Sequence, residues 1–228
     1  MEFHKPKPVH SWRELLGEIG VIVVGVVIAL SAEQLVESLR WKHRVAEAET
    51  AMRRELGDDI AYAAEQQRFK VCVGAALERL QAAVREGQVP KLRALARLQS
   101  PFNTRPWRAD SWNAALTGQI TDHIPRDTLT AFGFAFRSVA TERERQFAIN
   151  DHYAELIGGA AVETVTPEVA YAMQTALEKL RKDHDLTLII STNLLNLGKE
   201  LDITASAIPR GVRRDHRQCE KDVRALPV

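Results

Sequence analysis

Between residues 19 and 32 the chain reads IGVIVVGVVIALSA, without a charge, and Leu15, Leu16, Leu35 and Val36 carry the apolar character outward on both sides. A membrane-spanning helix needs about 20 apolar residues, whereas a run of 10 to 14 is also compatible with a signal-peptide core or a buried soluble helix. The edges favour a span. Glu18 and Glu33 fall where carboxylates can meet headgroups, Trp12 and Trp41 sit at interfacial positions, and Lys or Arg residues flank both ends. Residues 15–36 are therefore expected to form a retained transmembrane helix, with the lipid bilayer as its first partner.

Two alternatives compete. Lys5, Lys7 and Arg13 form a basic n-region, and Ala29-Leu30-Ser31 offers small residues to a signal peptidase, so cleavage would give a secreted helical protein. Against this, residues 31–39 contain no turn former, and helix-favouring Ala, Glu, Gln and Leu carry the pattern straight through. A buried soluble helix fits less well, because a Val- and Ile-rich run needs covering on every side. Gly20 and Gly25 lie five apart and make no GxxxG face. Basic residues flank the segment nearly equally, with Lys5, Lys7 and Arg13 before it and Arg40, Lys42 and Arg44 after it. Because a long domain translocates largely regardless of charge while a short basic tail is retained, a periplasmic domain is favoured over a cytoplasmic one.

The rest of the chain divides by helical periodicity. Residues 1–14 form an N-terminal tail, 37–208 a helical extramembrane domain and 209–228 a basic tail. Residues 40–86 lack proline and place Val45, Met52, Leu56 and Ile60, then Phe69, Val73, Leu77, Leu80 and Val84, at helical spacing. This predicts one long helix, continuous with the span, ended by Gly87 and weakest at Gly57-Asp58-Asp59, where an aspartate would cap a restarted helix. A short helix is expected around residues 91–98, then a loop with Pro101 and Pro106, and a second short helix over 111–116 stopped at Gly118. Pro125 and Asp127 open a helix carrying Leu129, Phe132, Phe136 and Val139 to about Leu156, before Gly158-Gly159 loosens it. Thr166-Pro167-Glu168 combines a capping hydroxyl, a proline suited to the first helical position and an acidic first turn, and starts a helix reaching about Leu201. No segment alternates as a strand, so the fold class is all-α.

The segment Trp107-Arg108-Ala109-Asp110-Ser111-Trp112-Asn113-Ala114-Ala115-Leu116-Thr117-Gly118, followed by Ile124-Pro125-Arg126-Asp127-Thr128-Leu129, joins the pattern that begins Glu18-Ile19-Gly20-Val21 and ends Ala32-Glu33-Gln34. Together they resemble an uncharacterised group of bacterial single-pass membrane proteins. The resemblance implies inner-membrane attachment and a helical extramembrane domain, and it carries over no activity or catalytic residue. The chain departs from the group in having Thr117 and Gln119 around Gly118 where small residues are expected.

Chemistry-bearing motifs are sparse. The 31 Lys and Arg residues nearly balance the 30 Asp and Glu residues, so the formal charge of +1 speaks against a nucleic-acid footprint, and no nucleic acid is expected as a partner. Nucleophile elbow, phosphate loop, dinucleotide fingerprint, HExxH and EF-hand patterns are missing from the sequence. No catalytic residue, metal or cofactor is expected. Glu55, Asp58 and Asp59 are read as solvated or capping rather than cation-binding, His184 as a surface residue between two aspartates, and His216 with Cys219 as too few ligands for zinc. Cys72 and Cys219 are either two buried thiols or one disulfide. The Arg210, Arg213, Arg214 and Arg217 cluster is read as a solvated tail, with anionic lipid or nucleic acid as the alternative contact. Trp107, Arg108, Asp110 and Trp112 have the composition of an interface hot spot and form the candidate recognition surface. The competing and favoured assignment is that both tryptophans plug a helix seam, with Asp110 or Ser111 capping the short helix. Glu18 and Glu33, as carboxylates at the membrane edge, complete the candidates. The chain thus reads as a non-enzymatic interaction, sensor or accessory module with a protein partner or a second copy of itself. A tethered enzyme and a passive spacer are the alternatives.

Overall fold

The computed structural model describes residues 12–87, 105–162 and 164–208. The helix expected at 91–98 and the basic tail with His216 and Cys219 lie outside these. Among the described residues there is no strand: helix α1 covers Trp12–Arg85, α2 Asp110–Thr117, a 3-10 turn Ile120–His123, α3 Arg126–Ala160 and α4 Pro167–Glu200. The all-α expectation holds. The chain falls into two units, Met1–Glu47 and Ala48–Val228.

In the first unit, every residue from 16 to 40 is exposed, including Val21, Ile22 and Ile28. Here α1 is long and apolar enough to cross a membrane. At about 1.5 Å per residue, residues 15–36 measure roughly 33 Å, matched to a hydrocarbon core of about 30 Å. Arg44 lies over the Trp41 ring, 5.2 Å from its centroid.

In the second unit, α1, α3 and α4 form a three-helix bundle. Phe69, Val73, Leu77 and Leu80 of α1 close on Ile149 and Leu156 of α3 and on Met173, Leu177 and Leu180 of α4. Arg53 stacks on Phe132 near the start of α3, which makes α3 parallel to α1, while Ile60 packs on Gly198 near the end of α4, which makes α4 antiparallel. A parallel pair needs a return connection. Residues 105–109 belong to that return and have no helix of their own.

The caps follow local chemistry in part. Thr166 Oγ1 accepts from the Val169 N–H at 3.4 Å, as its place before Pro167 predicts. Gly87 adopts φ +64 and closes α1 through its N–H to the Val84 carbonyl. At the far end of α4, the Arg53 guanidinium donates to the Leu201 carbonyl, putting a cation on a helix C-terminus.

Two glycine expectations are corrected. Gly57-Asp58-Asp59 neither breaks nor restarts α1, which runs through unbroken. Gly57 is there because another chain segment passes close: its carbonyl accepts the Ser206 N–H at 2.9 Å, and a Cβ would lie 3.1 Å from the Thr204 carbonyl oxygen. Gly158-Gly159 does not interrupt α3 either, since the helix continues to Ala160 and Gly159 admits the Met173 side chain. Gly57→Leu is expected to destabilise the protein by about 2 kcal/mol, clash outweighing helix propensity. Gly74→Ala, at a mid-helix site with nothing within 4 Å, should stabilise it by roughly 0.5–1 kcal/mol. Thermal melts of the two variants moving in the same direction would contradict this account.

Candidate functional site

Three carboxylates on one side of α1 hold the returning segment 105–111. Glu55, Asp59 and Glu65 fall over ten residues, about 15 Å of helix. Their partners occur in reverse order, so the segment runs antiparallel to α1. Glu65 receives the Arg105 guanidinium through two bonds of 2.6 and 2.7 Å, with both side chains buried. Asp59 Oδ1 accepts the Arg108 backbone N–H at 3.3 Å. Glu55 accepts the backbone N–H groups of Asp110 and Ser111 at 3.1 and 2.8 Å, and the Ser111 hydroxyl as well. A carboxylate from α1 thus caps α2, where a helix leaves unpaired N–H groups and a partial positive charge.

This corrects three assignments from sequence. Of the solvated-or-capping reading, Glu55 meets the capping half at α2, while Asp59 is 1% exposed and caps no helix. Neither Asp110 nor Ser111 caps α2, whose N-cap is Ala109 without a side-chain bond. His184 is not a surface residue but is buried, 7% exposed.

The segment also places the candidate recognition residues. Trp107 is 3% exposed and meets Tyr62 edge-on, with ring centroids 5.9 Å apart. Trp112 is half-buried, stacked on Phe136 at 5.5 Å and lying over Gly133. Arg108 and Asp110 are exposed and paired with one another at 3.1 Å, and Arg108 also lies 3.7 Å from Glu55. The two tryptophans are therefore packing residues, and the charged pair is what faces solvent. Glu18 and Glu33 are both exposed on α1 in the first unit.

A second polar seam, which the sequence did not single out, joins α3 to α4. Buried Glu142 accepts the Thr187 hydroxyl at 2.8 Å. Asp183 receives Arg145 at 3.1 Å and lies 2.9 Å from His152 Nδ1. Glu142 Oε2 and the Ser191 hydroxyl are buried without a hydrogen-bond partner. Burial raises the Glu142 carboxyl above its ordinary range, with Thr187 and Arg145 pulling the other way. Burial lowers the His184 imidazole, opposed by Asp185 and the Lys70 backbone. The clue in the sequence was helical phase: Glu142, Thr187 and Ser191 fall on the same stripes as Val139, Leu180 and Leu194.

Among the described residues no three His, Cys, Asp or Glu side chains are placed to hold a metal ion. An open groove of about 740 Å³ lies between the end of α1 and the first half of α4, bordered by Arg85, Tyr171, Glu178, Lys179 and Lys182. Neither polar cluster opens into it. Cys72, in the bundle core, is disulfide-bonded, which excludes the buried-thiol alternative for this residue. Comparison with protein-family models, with curated proteins and with solved structures finds no match for this chain.

Proposed function

We propose that the protein is a single-pass inner-membrane module of a bacterium, whose helical domain acts by contact with a protein partner or a second copy of the chain rather than by catalysis. The observation that carries the reading is the first part of α1, a continuous helix whose apolar residues 16–36 are all exposed to the surroundings. Leaving such side chains in water would cost roughly 1.5–3 kcal/mol for each large one, and a bilayer removes that cost. The polar groups of the domain support a non-catalytic role, because Glu55, Glu65 and Asp183 are each committed to a contact that fixes one chain segment against another. The disulfide at Cys72 supports a periplasmic domain, since such bonds persist in oxidising compartments.

The chain is expected to remain in the membrane fraction after high-salt and carbonate washes, with its N-terminus uncut. A phosphatase fused after Val228 should be active and a fluorescent reporter that matures only in the cytoplasm should be dark. Recovery of a soluble protein beginning near Ala32 would establish the secreted alternative instead. The opposite pair of reporter signals would place the domain in the cytoplasm. Purification from native membranes in mild detergent should then bring down a stoichiometric partner or a dimer, and a purely monomeric chain would refute the interaction role.

A further inference from the structure

We propose that Asp59 is a proton-operated latch, keeping segment 105–111 docked on α1 while its carboxyl is protonated and releasing it when the proton is lost. Of the three carboxylates that hold this segment, Glu65 has a guanidinium and Glu55 has two N–H groups and a hydroxyl. Asp59 differs. It is 1% exposed, its Oδ1 takes one long backbone bond, and its Oδ2 is buried with no partner. The charged and titratable groups facing it are Glu55, Asp58 and Tyr62 on α1 and Arg108 on the segment. Two of these are acidic neighbours, and the Arg108 guanidinium is turned to Asp110 and Glu55 instead. A buried carboxylate without a counter-cation is among the costliest states a folded chain can hold, so the site takes up a proton.

Burial, reinforced by Glu55 and Asp58 and opposed by the Arg108 contacts, pushes the Asp59 carboxyl up from 3.8 to about 8. Between these two values the folded chain holds a proton that the unfolded chain has lost. Docking is therefore strongest below about pH 4, weakens as pH rises through neutrality, and stops weakening above about pH 8. Because the Arg108 N–H lies directly over Asp59 and Glu55 caps α2 three residues on, the carboxylate reaches water by lifting the segment, and α2 is uncapped with it. This device depends only on the Ala48–Val228 unit and is independent of which side of the membrane that unit occupies.

The test is hydrogen exchange of the full-length chain in detergent micelles, corrected for the intrinsic pH dependence of exchange. Protection of residues 105–111 should fall by about tenfold or more between pH 6.5 and 9.5, while α4 amides around Leu177 and Leu180 change less than about twofold. In Asp59→Asn, the protection of the segment should be independent of pH over this range. A wild-type segment with constant protection, or an Asp59→Asn segment that keeps the wild-type response, would overturn the proposal. Should Asp59→Asn fail to fold, the carboxyl ¹³C resonance of Asp59 is titrated in the wild-type chain. A docked-state midpoint near 8, with protection falling below it and levelling off above it, supports the latch, and a midpoint in the ordinary carboxylate range refutes it.

Discussion

Glu65→Ala is expected to destabilise the protein by about 3–5 kcal/mol, because it leaves the Arg105 guanidinium buried beside Tyr62 without its counter-ion. The loss comes from desolvation rather than from the bond itself. In water a surface ion pair contributes little, but here both side chains are almost fully covered, and the bidentate fork satisfies donors that have no access to solvent. For a domain of this size the change corresponds to a melting temperature lower by roughly 6–20 °C, measured by circular dichroism on the full chain in detergent. Removing both partners should undo most of it: Glu65→Leu combined with Arg105→Met replaces two buried charges by apolar groups of similar size. Arg108→Ala, which removes an exposed partner of Asp110, should leave the melt unchanged. A Glu65→Ala chain that melts like the wild type would mean that segment 105–111 is not held as described.

Trp107→Ala should cost about 3–5 kcal/mol, and Trp112→Ala distinctly less, about 1–3 kcal/mol. The order follows from burial. Trp107 is covered on all sides and fixes the return segment against Tyr62, whereas Trp112 offers one face to Phe136 and keeps part of its ring in solvent. The sequence assigns the seam to both tryptophans; the half-exposure of Trp112 shifts most of that role to Trp107. Partner recovery in the two variants separates packing from recognition. If Trp112→Ala melts normally while losing a partner, the half-exposed ring is an interface residue, and the packing assignment falls.

Helical periodicity was legible because it is local. Apolar side chains every three or four residues from Met52 to Val84 mark the buried stripe of α1 without knowledge of what covers it. The Thr166-Pro167 start and the Gly87 stop were likewise readable, since a capping hydroxyl and a left-handed glycine act within one turn of the backbone they satisfy. The exposed apolar run of the first unit was legible for the same reason: its length and lack of charge are properties of the run alone.

The polar residues were misjudged wherever their partners are remote in sequence. Nothing near Glu65 in the chain indicates a guanidinium 40 residues on, and nothing near Glu55 indicates the N-terminus of a helix 56 residues away. Gly57 reads as a helix weakness by propensity, yet the close passage of Thr204 and Ser206 is what it accommodates. A side chain's polarity limits what it can bond to, but whether it meets water, a backbone N–H or a buried cation depends on which segment is folded over it. The sequence by itself therefore determined the helices, their apolar faces and the span-length segment. Tertiary structure alone decided that Glu55, Asp59 and Glu65 hold segment 105–111, because the free energy of a charged group is set by its burial and its partner, and both are supplied by distant parts of the chain.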